Sequence, residues 1–272
     1  MIFSDKTLSI KLERAEALVN ADLVETRARL EPASGAEWIE VAGTYAMFDD
    51  VDSPCTQTFG LGMFDEITDA ELSRIEGFFV DLGAPVFHEV SPMADPLLLP
   101  LLNSRGYQPV EFTSVMFTSL DRPANVRGRV NPEITTRVIE ADEVALWART
   151  SADGWATEGE GLGDFMLGFA SIGARCKTAF PYLAELNGRP ISTGTLFIQD
   201  DVAFLAGAST IPDGRNKGAQ TALLGARLRF AAEQGCQLAV MGASPGSQSQ
   251  INAQRNGFNI AYTRTKWQLM DT

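Results

Sequence analysis

Val202-Ala203-Phe204-Leu205-Ala206-Gly207-Ala208-Ser209-Thr210 leads through Ile211-Pro212-Asp213-Gly214-Arg215-Asn216-Lys217-Gly218 into Ala219-Gln220-Thr221-Ala222-Leu223-Leu224, and this stretch decides the fold. The first block is apolar and reads as a strand over 202–211. Proline, aspartate, asparagine and two glycines make the second a loop. The third opens a helix running through Gln234, with Leu224, Leu228 and Ala231 as its buried stripe, Leu223, Ala226 and Phe230 beside them, and Gly235 as its stop. The first N–H groups of such a helix lack internal partners and sit at the positive end of its dipole. A glycine at 218 lets a phosphate approach those amides, and Arg215 and Lys217 add positive charge. The spacing matches neither a Walker loop nor the Gly-x-Gly-x-x-Gly dinucleotide signature.

Working outward, Tyr182–Leu186 and Ile191–Ile198 read as strands joined by the turn Asn187-Gly188-Arg189. Before them a helix is predicted from Glu140 to about Ala152, with a flexible connection over Gly159–Gly163. After the central helix come a strand over Gln237–Ala243, a short helix opened by the capping box Ser247-Gln248-Ser249-Gln250, and a closing strand over Phe258–Met270. The order helix, glycine, strand, proline, short helix, glycine, aromatic, strand occurs at Gly83/Pro92/Gly106/Tyr107 and again at Gly235/Pro245/Gly257/Phe258. Two copies of one α/β unit follow from that repeat. Ahead of the first copy, a helix is predicted over Leu8–Leu30 and a loop over Asp49–Pro54, and the copy opens with a helix from Thr68 to about Leu82. A helix opened by Asp95-Pro96 follows the strand Val86–Val90. Arg122–Arg129, polar and punctuated, is the expected linker, with domains 1–125 and 126–272.

The chain of 272 residues carries 35 acidic and 22 basic side chains, one histidine and three cysteines. Residues 1–125 hold 21 acidic and 8 basic side chains, so they account for the whole net charge of −13. Nucleic-acid binding there is disfavoured by repulsion of phosphates. One histidine leaves no material for a His-rich metal site or a Ser-His-Asp triad, and Cys55, Cys176 and Cys236 are too few and too far apart for a disulfide framework, so no metal is expected. Cys176 and Cys236 read as small buried hydrophobes, and His88 as a satisfied structural histidine. No stretch approaches the ~20 apolar residues of a membrane span and no signal peptide is visible, so a cytoplasmic protein is expected.

Arg215-Asn216-Lys217-Gly218-Ala219-Gln220 resembles the acyl-CoA-binding motif of the GNAT superfamily of N-acyltransferases, Arg/Gln-x-x-Gly-x-Gly/Ala. Gln220 departs from it, and a side chain there crowds a pyrophosphate unless it points away. Asn256-Gly257-Phe258 is similar to the family's second element. The resemblance implies an α/β fold (α+β mixed sheet) of two tandem GNAT-like domains, each a mostly antiparallel twisted sheet flanked by helices. The first domain is degenerate and structural, because Gly60–Glu66, Asp69 and Glu71 supply carboxylates where the second has cations. It also implies that two strands part after Ala208-Ser209-Thr210 to take the pantetheine arm of acetyl-CoA. The amides of Asn216, Lys217, Gly218, Ala219, Gln220 and Thr221 would hold the pyrophosphate, an amide near Ser209 or Thr210 would polarise the thioester, and Asn252 would meet pantetheine or the departing sulfur.

Many members protonate the leaving thiolate with a tyrosine at the position of Ala253; Ser249 and Tyr262 are the remaining candidates here. Glu185 and Glu158 are candidate bases for the acceptor amine, and Trp155 and Phe165 candidate pocket walls. The implied function is acetyl transfer to a primary amine of a small molecule, by a monomer or homodimer without nucleic-acid or membrane partners. A non-catalytic acyl-CoA sensor and a protein N-acetyltransferase are the alternatives.

Overall fold

The structure is a computed structural model that describes residues 4–121 and 131–270. The expected linker Arg122–Arg129, with the cut at 125/126, lies outside the described residues. In chain order the elements are α1 (Lys6–Leu30), β1 (Glu37–Val41), β2 (Thr44–Phe48), β3 (Gln57–Phe59), α2 (Asp69–Asp81), β4 (Phe87–Val90), α3 (Leu98–Ser104) and β5 (Tyr107–Ser119). They continue with β6 (Ile134–Val138), α4 (Val144–Trp155), α5 (Leu162–Gly173), β7 (Ala179–Leu186), β8 (Arg189–Gln199) and β9 (Val202–Thr210). The last are α6 (Ala219–Glu233), β10 (Leu238–Ala243), α7 (Gln248–Arg255) and β11 (Asn259–Leu269). The described residues pack as two compact units: 4–116 with 242–250 and 260–270, and 117–121 with 131–241 and 251–259.

In the first unit the strand order is β1-β2-β3-β4-β11-β5, with β1, β2 and β3 antiparallel and β3 parallel to β4. A parallel pair needs a crossover, and α2 supplies it. Leu72, Ile75 and Phe79 of α2 are fully buried against Ala46, Val86, Val90 and Leu102. Each such side chain contributes ~1.5–3 kcal/mol of burial. α1 begins at Asp5, whose carboxylate accepts the Leu8 N–H at 2.8 Å, and lays Ala17, Ala21 and Val24 on Met47 and Phe59.

The closing strand expected for the second half is β11, and it lies in the first unit's sheet, antiparallel to β4 from Thr265↔Val90 to Gln268↔Phe87. Arg264 of β11 meets Glu13 and Glu16 of α1 and Glu89 of β4 at 2.7–3.3 Å, all within a buried polar cluster. The physical reason lies in partners distant in sequence. Arg264 needs carboxylates when buried, and α1 and β4 provide them.

The second unit has the order β10-β9-β8-β7-β6, antiparallel except for β9 and β10. α6 is its crossover. The hairpin between β7 and β8 has Asn187 and Gly188 at φ +53° and +77°, as the Asn-Gly pair predicted. α5 has no counterpart in the sequence reading. It packs on α4 through Ala170, beside Trp147, Ala148 and Leu183. The buried face of α6 is Leu223, Ala226, Leu228 and Ala231, with Arg227 also inside, while Leu224 is only half-buried. The repeat is visible in the order of elements, although its second copy closes with a strand of the first unit. α2, Gly83, β4, α3, Gly106 and β5 correspond to α6, Gly235, β10, α7, Gly257 and β11, and all four glycines have positive φ.

Candidate functional site

β9 pairs with β10 only over Val202–Phe204 and with β8 along nearly its whole length. Parting therefore begins after Phe204, six residues before Thr210, where the sequence reading placed it. The cause is a bulge. Between Thr193↔Ser209 and Thr195↔Ala206, Gly194 alone faces Gly207 and Ala208, and Gly207 takes φ +61°. Such a bulge bends its strand and raises the local twist. Arg227 fills the hollow beneath it, since a Cβ on Gly194 would lie 2.9 Å from the guanidinium carbon. That guanidinium donates to the Thr195 carbonyl at 3.1 Å, and burial pushes its pKa down to about 10.

The loop behind β9 ends in two left-handed residues, Asn216 at φ +61° and Gly218 at φ +91°, and Gly218 is the N-cap of α6. No side chain caps this helix. The N–H groups of Ala219, Gln220 and Thr221 come before the first intrahelical bond, Ala222 N–H to Gly218 O. Lys217 is exposed beside them, and its carbonyl accepts from the Asn131 side chain at 3.2 Å. Asn131, Pro132, Glu133, Leu186, Lys217 and Thr221 line a depression of about 630 Å³ here, which also takes in Asn216 and Gly218. Uncapped amides, a left-handed glycine and a free-standing lysine fit a pyrophosphate.

Gln220 points away from those amides. Its Nε2 donates to Ser192 Oγ (3.0 Å), the Ser209 carbonyl (3.0 Å) and Thr210 Oγ1 (2.9 Å). The crowding that the departure from the motif raised is thereby absent. Ser209 is buried, its hydroxyl donating to the Ser151 carbonyl at 3.0 Å, while Ala208 is exposed. Gly154 of α4 lies flush on this end of β9. A Cβ there would come within 2.6 Å of Ser209 Oγ and 2.9 Å of the Thr210 nitrogen.

Arg215 does not join Lys217. Its Nη2 donates to Thr157 Oγ1 (2.5 Å), Glu158 Oε1 (3.2 Å) and the Gly154 carbonyl (3.3 Å). Glu158 is thus an ion-pair partner of Arg215, and Glu185 is one of Arg137, at 3.2 Å. Arg137 also grips Glu143, holding that carboxyl down to about 2. Ser249 and Asn252 are exposed on α7, with Ser249 counted in the first unit and Asn252 in the second. Ala253 is buried, and Tyr262 donates to Glu13 inside the first unit, so neither position offers a proton donor to β9. The indole N–H of Trp155 has no hydrogen-bond partner, and Phe165 stacks on Phe169. Cys55, Cys176 and Cys236 are buried thiols outside any disulfide, and His88 lies between Thr58 Oγ1 and Tyr107 OH, 2.9 Å from each.

The first unit's equivalent helix start is closed. Thr68 caps α2 through the Glu71 N–H, and Glu71 Oε2 accepts the Thr68 N–H at 2.8 Å. The residues sequence reasoning overlooked are Ser192, Gly154, Thr157 and Asn131. None of these carried a signal: the helix was expected to end near Ala152, short of Gly154, which the structure places in the last turn of α4.

Residues 147–258 match the family model described as the acetyltransferase (GNAT) family. No curated protein gives a significant match. Among solved structures, the chain is similar to a GCN5-related N-acetyltransferase from Kribbella flavida, with TM-score 0.62 and 18% identity over 92% of this chain and 96% of that one. It is also similar to a GCN5-related N-acetyltransferase from Sphaerobacter thermophilus, with TM-score 0.56 and 16% identity over 79% and 72%. A tandem GNAT protein from the clavulanic acid biosynthesis pathway aligns with TM-score 0.61 and 13% identity over 85% and 80%. At these identities the likeness is one of fold, and it is the tandem α/β fold that the internal repeat implies.

Proposed function

Because residues 147–258 match the family model of the GNAT acetyltransferases, we propose that this chain transfers an acetyl group from acetyl-CoA to a primary amine of a small molecule. GNAT domains are an acyl-CoA-binding family. The finer reading rests on one observation, the unmatched pair of helix starts. α6 presents three amides with no side-chain cap, behind a left-handed glycine, whereas α2 closes the same position with Thr68 and Glu71.

On this reading the amides of Ala219, Gln220 and Thr221 hold the diphosphate, with Lys217 beside them. The main chain of β9 beyond Phe204, free of β10, pairs with the pantetheine arm. Acetyl-CoA supplies an acyl group on a thiol that leaves readily, its ordinary pKa being about 8.5. A main-chain N–H at the bulged end of β9 stabilises charge growing on the thioester oxygen. The amine attacks the thioester carbon as the neutral base, nitrogen–carbon bond formation being matched by loss of the carbon–sulfur bond. Glu158 and Glu185 each engage an arginine, so we assign removal of the amine proton to water. Asn252 keeps the contact with pantetheine that the motif resemblance implies.

Titration of acetyl-CoA into the protein, followed by release of free thiol in the presence of a panel of primary amines, tests the proposal. Gly218→Glu places a carboxylate at the uncapped amides and is expected to abolish binding with the circular dichroism spectrum unchanged. Unaltered affinity in that variant would sink the loop assignment. Buried Ala253 in place of a proton donor favours a second reading, a non-catalytic acyl-CoA sensor. Binding without thiol release across the panel would establish it.

A further inference from the structure

Building on the acetyl-transfer reading, we propose that Arg215 is a positioning residue and not a phosphate ligand: it clasps the donor loop to the α4–α5 connection, residues 156–161, and so fixes the wall past which the amine approaches. The whole constellation lies in the second unit. The guanidinium reaches three separate pieces of chain. Nε faces the Thr210 carbonyl at the end of β9 (3.4 Å), while Nη2 meets the last turn of α4 at the Gly154 carbonyl and the connection itself at Thr157 and Glu158. A planar fork with fixed donor directions suits such a junction, and a lysine would not span it.

Two features make the clasp consequential. Gly154 brings α4 into contact with Ser209 and the Thr210 nitrogen, so the connection that follows begins at the free end of the bulged strand, where the thioester carbon would rest. Residues 156–161 are all exposed, and their own main-chain bonds are short-range turns, such as Glu158 N–H to Trp155 O. A segment with few buried contacts opens easily. The Arg215–Glu158 pair is itself half in solvent, so its contribution to global stability is slight and its effect falls on this segment.

Hydrogen–deuterium exchange over 156–162, with and without coenzyme A, tests the clasp together with calorimetric titration of coenzyme A. In Arg215→Ala and in Thr157→Val/Glu158→Gln, exchange of this segment is expected to rise about tenfold over wild type in the ligand-free protein. Coenzyme A affinity should stay within about threefold, a change far smaller than loss of a phosphate contact produces. Arg215→Lys should restore little of the protection. Unchanged exchange in both variants would overturn the clasp. So would a tenfold or greater loss of affinity in Arg215→Ala, roughly 1.4 kcal/mol, because it would make Arg215 a ligand. If wild type binds no coenzyme A, the acetyl-transfer reading fails, while exchange in the ligand-free protein still decides the clasp.

Discussion

Nε2 of Gln220 lies 3.0 Å from the carbonyl oxygen of Ser209, so a helix start and a bulged strand end are fastened by one side chain. The same amide also reaches Ser192 and Thr210, and all three acceptors lie away from the uncapped main-chain donors. Gln220→Ala is expected to lower unfolding stability by about 1–2 kcal/mol, the worth of a lost side-chain network with partly buried acceptors. Acetyl-CoA affinity should change little. A urea series and a titration check both, and a large change in affinity would mean that the side chain lies at the diphosphate.

One acetyl-CoA per chain is the expected stoichiometry. The first unit's α2 has its end amides taken by Thr68 and Glu71, with Asp69 beside them. Thr68→Ala should cost ~1 kcal/mol by loss of the cap and create no second site, because the carboxylates remain. Calorimetry giving two sites for either protein would contradict this.

His88 is the sole histidine, so its imidazole signals are unambiguous. Burial pushes its pKa from 6.5 down to about 3, and the ring is held neutral between Thr58 and Tyr107. Nitrogen chemical shifts should therefore not titrate between about pH 5 and 8. The unfolded chain takes up the proton first, so this group's stability contribution is full above pH 6.5 and is lost as pH falls toward 3. A titration midpoint near 6.5 in the folded protein would refute it.

Glu13 tilts stability the other way. Burial raises its pKa from 4.5 to about 7, against the lowering influence of Arg264. Here the folded state binds the extra proton, so the contribution is full below pH 4.5 and disappears as pH rises through about 7. Over the shared range below 6.5 the slopes of His88 and Glu13 oppose one another. Glu13→Gln should remove the loss between pH 5 and 8, and chemical denaturation of both proteins at those two values measures it. An unchanged difference would show that Glu13 ionises normally.

How far the sequence revealed these features depends on what kind of force fixes each. The repeat of helix, glycine and strand was legible because left-handed glycines at 83, 106, 235 and 257 are local demands that leave a mark on the text. The loop 215–218 and the start of α6 were legible for the same reason. α5 was not, since glycines at 163, 168 and 173, poor helix formers, interrupt Leu162–Gly173. The direction of Arg215 was hidden as well, because its partners lie 57–61 positions away in the chain. The parting of β9 from β10 hinged on Gly207, an ordinary glycine in a strand until its left-handed φ identifies the bulge. The home of β11 is set by buried carboxylates on α1 and β4, and no local pattern announces such pairing.

That last strand has a bearing on how the polypeptide comes into being. Since β11 sits between β4 and β5, the sheet begun by residues 37–41 cannot be completed until residue 269 has left the ribosome. Domains usually fold as they emerge, amino-terminal ones first. In this chain the earliest-made half must wait, with β4 and β5 lacking their shared neighbour, through the synthesis of everything downstream.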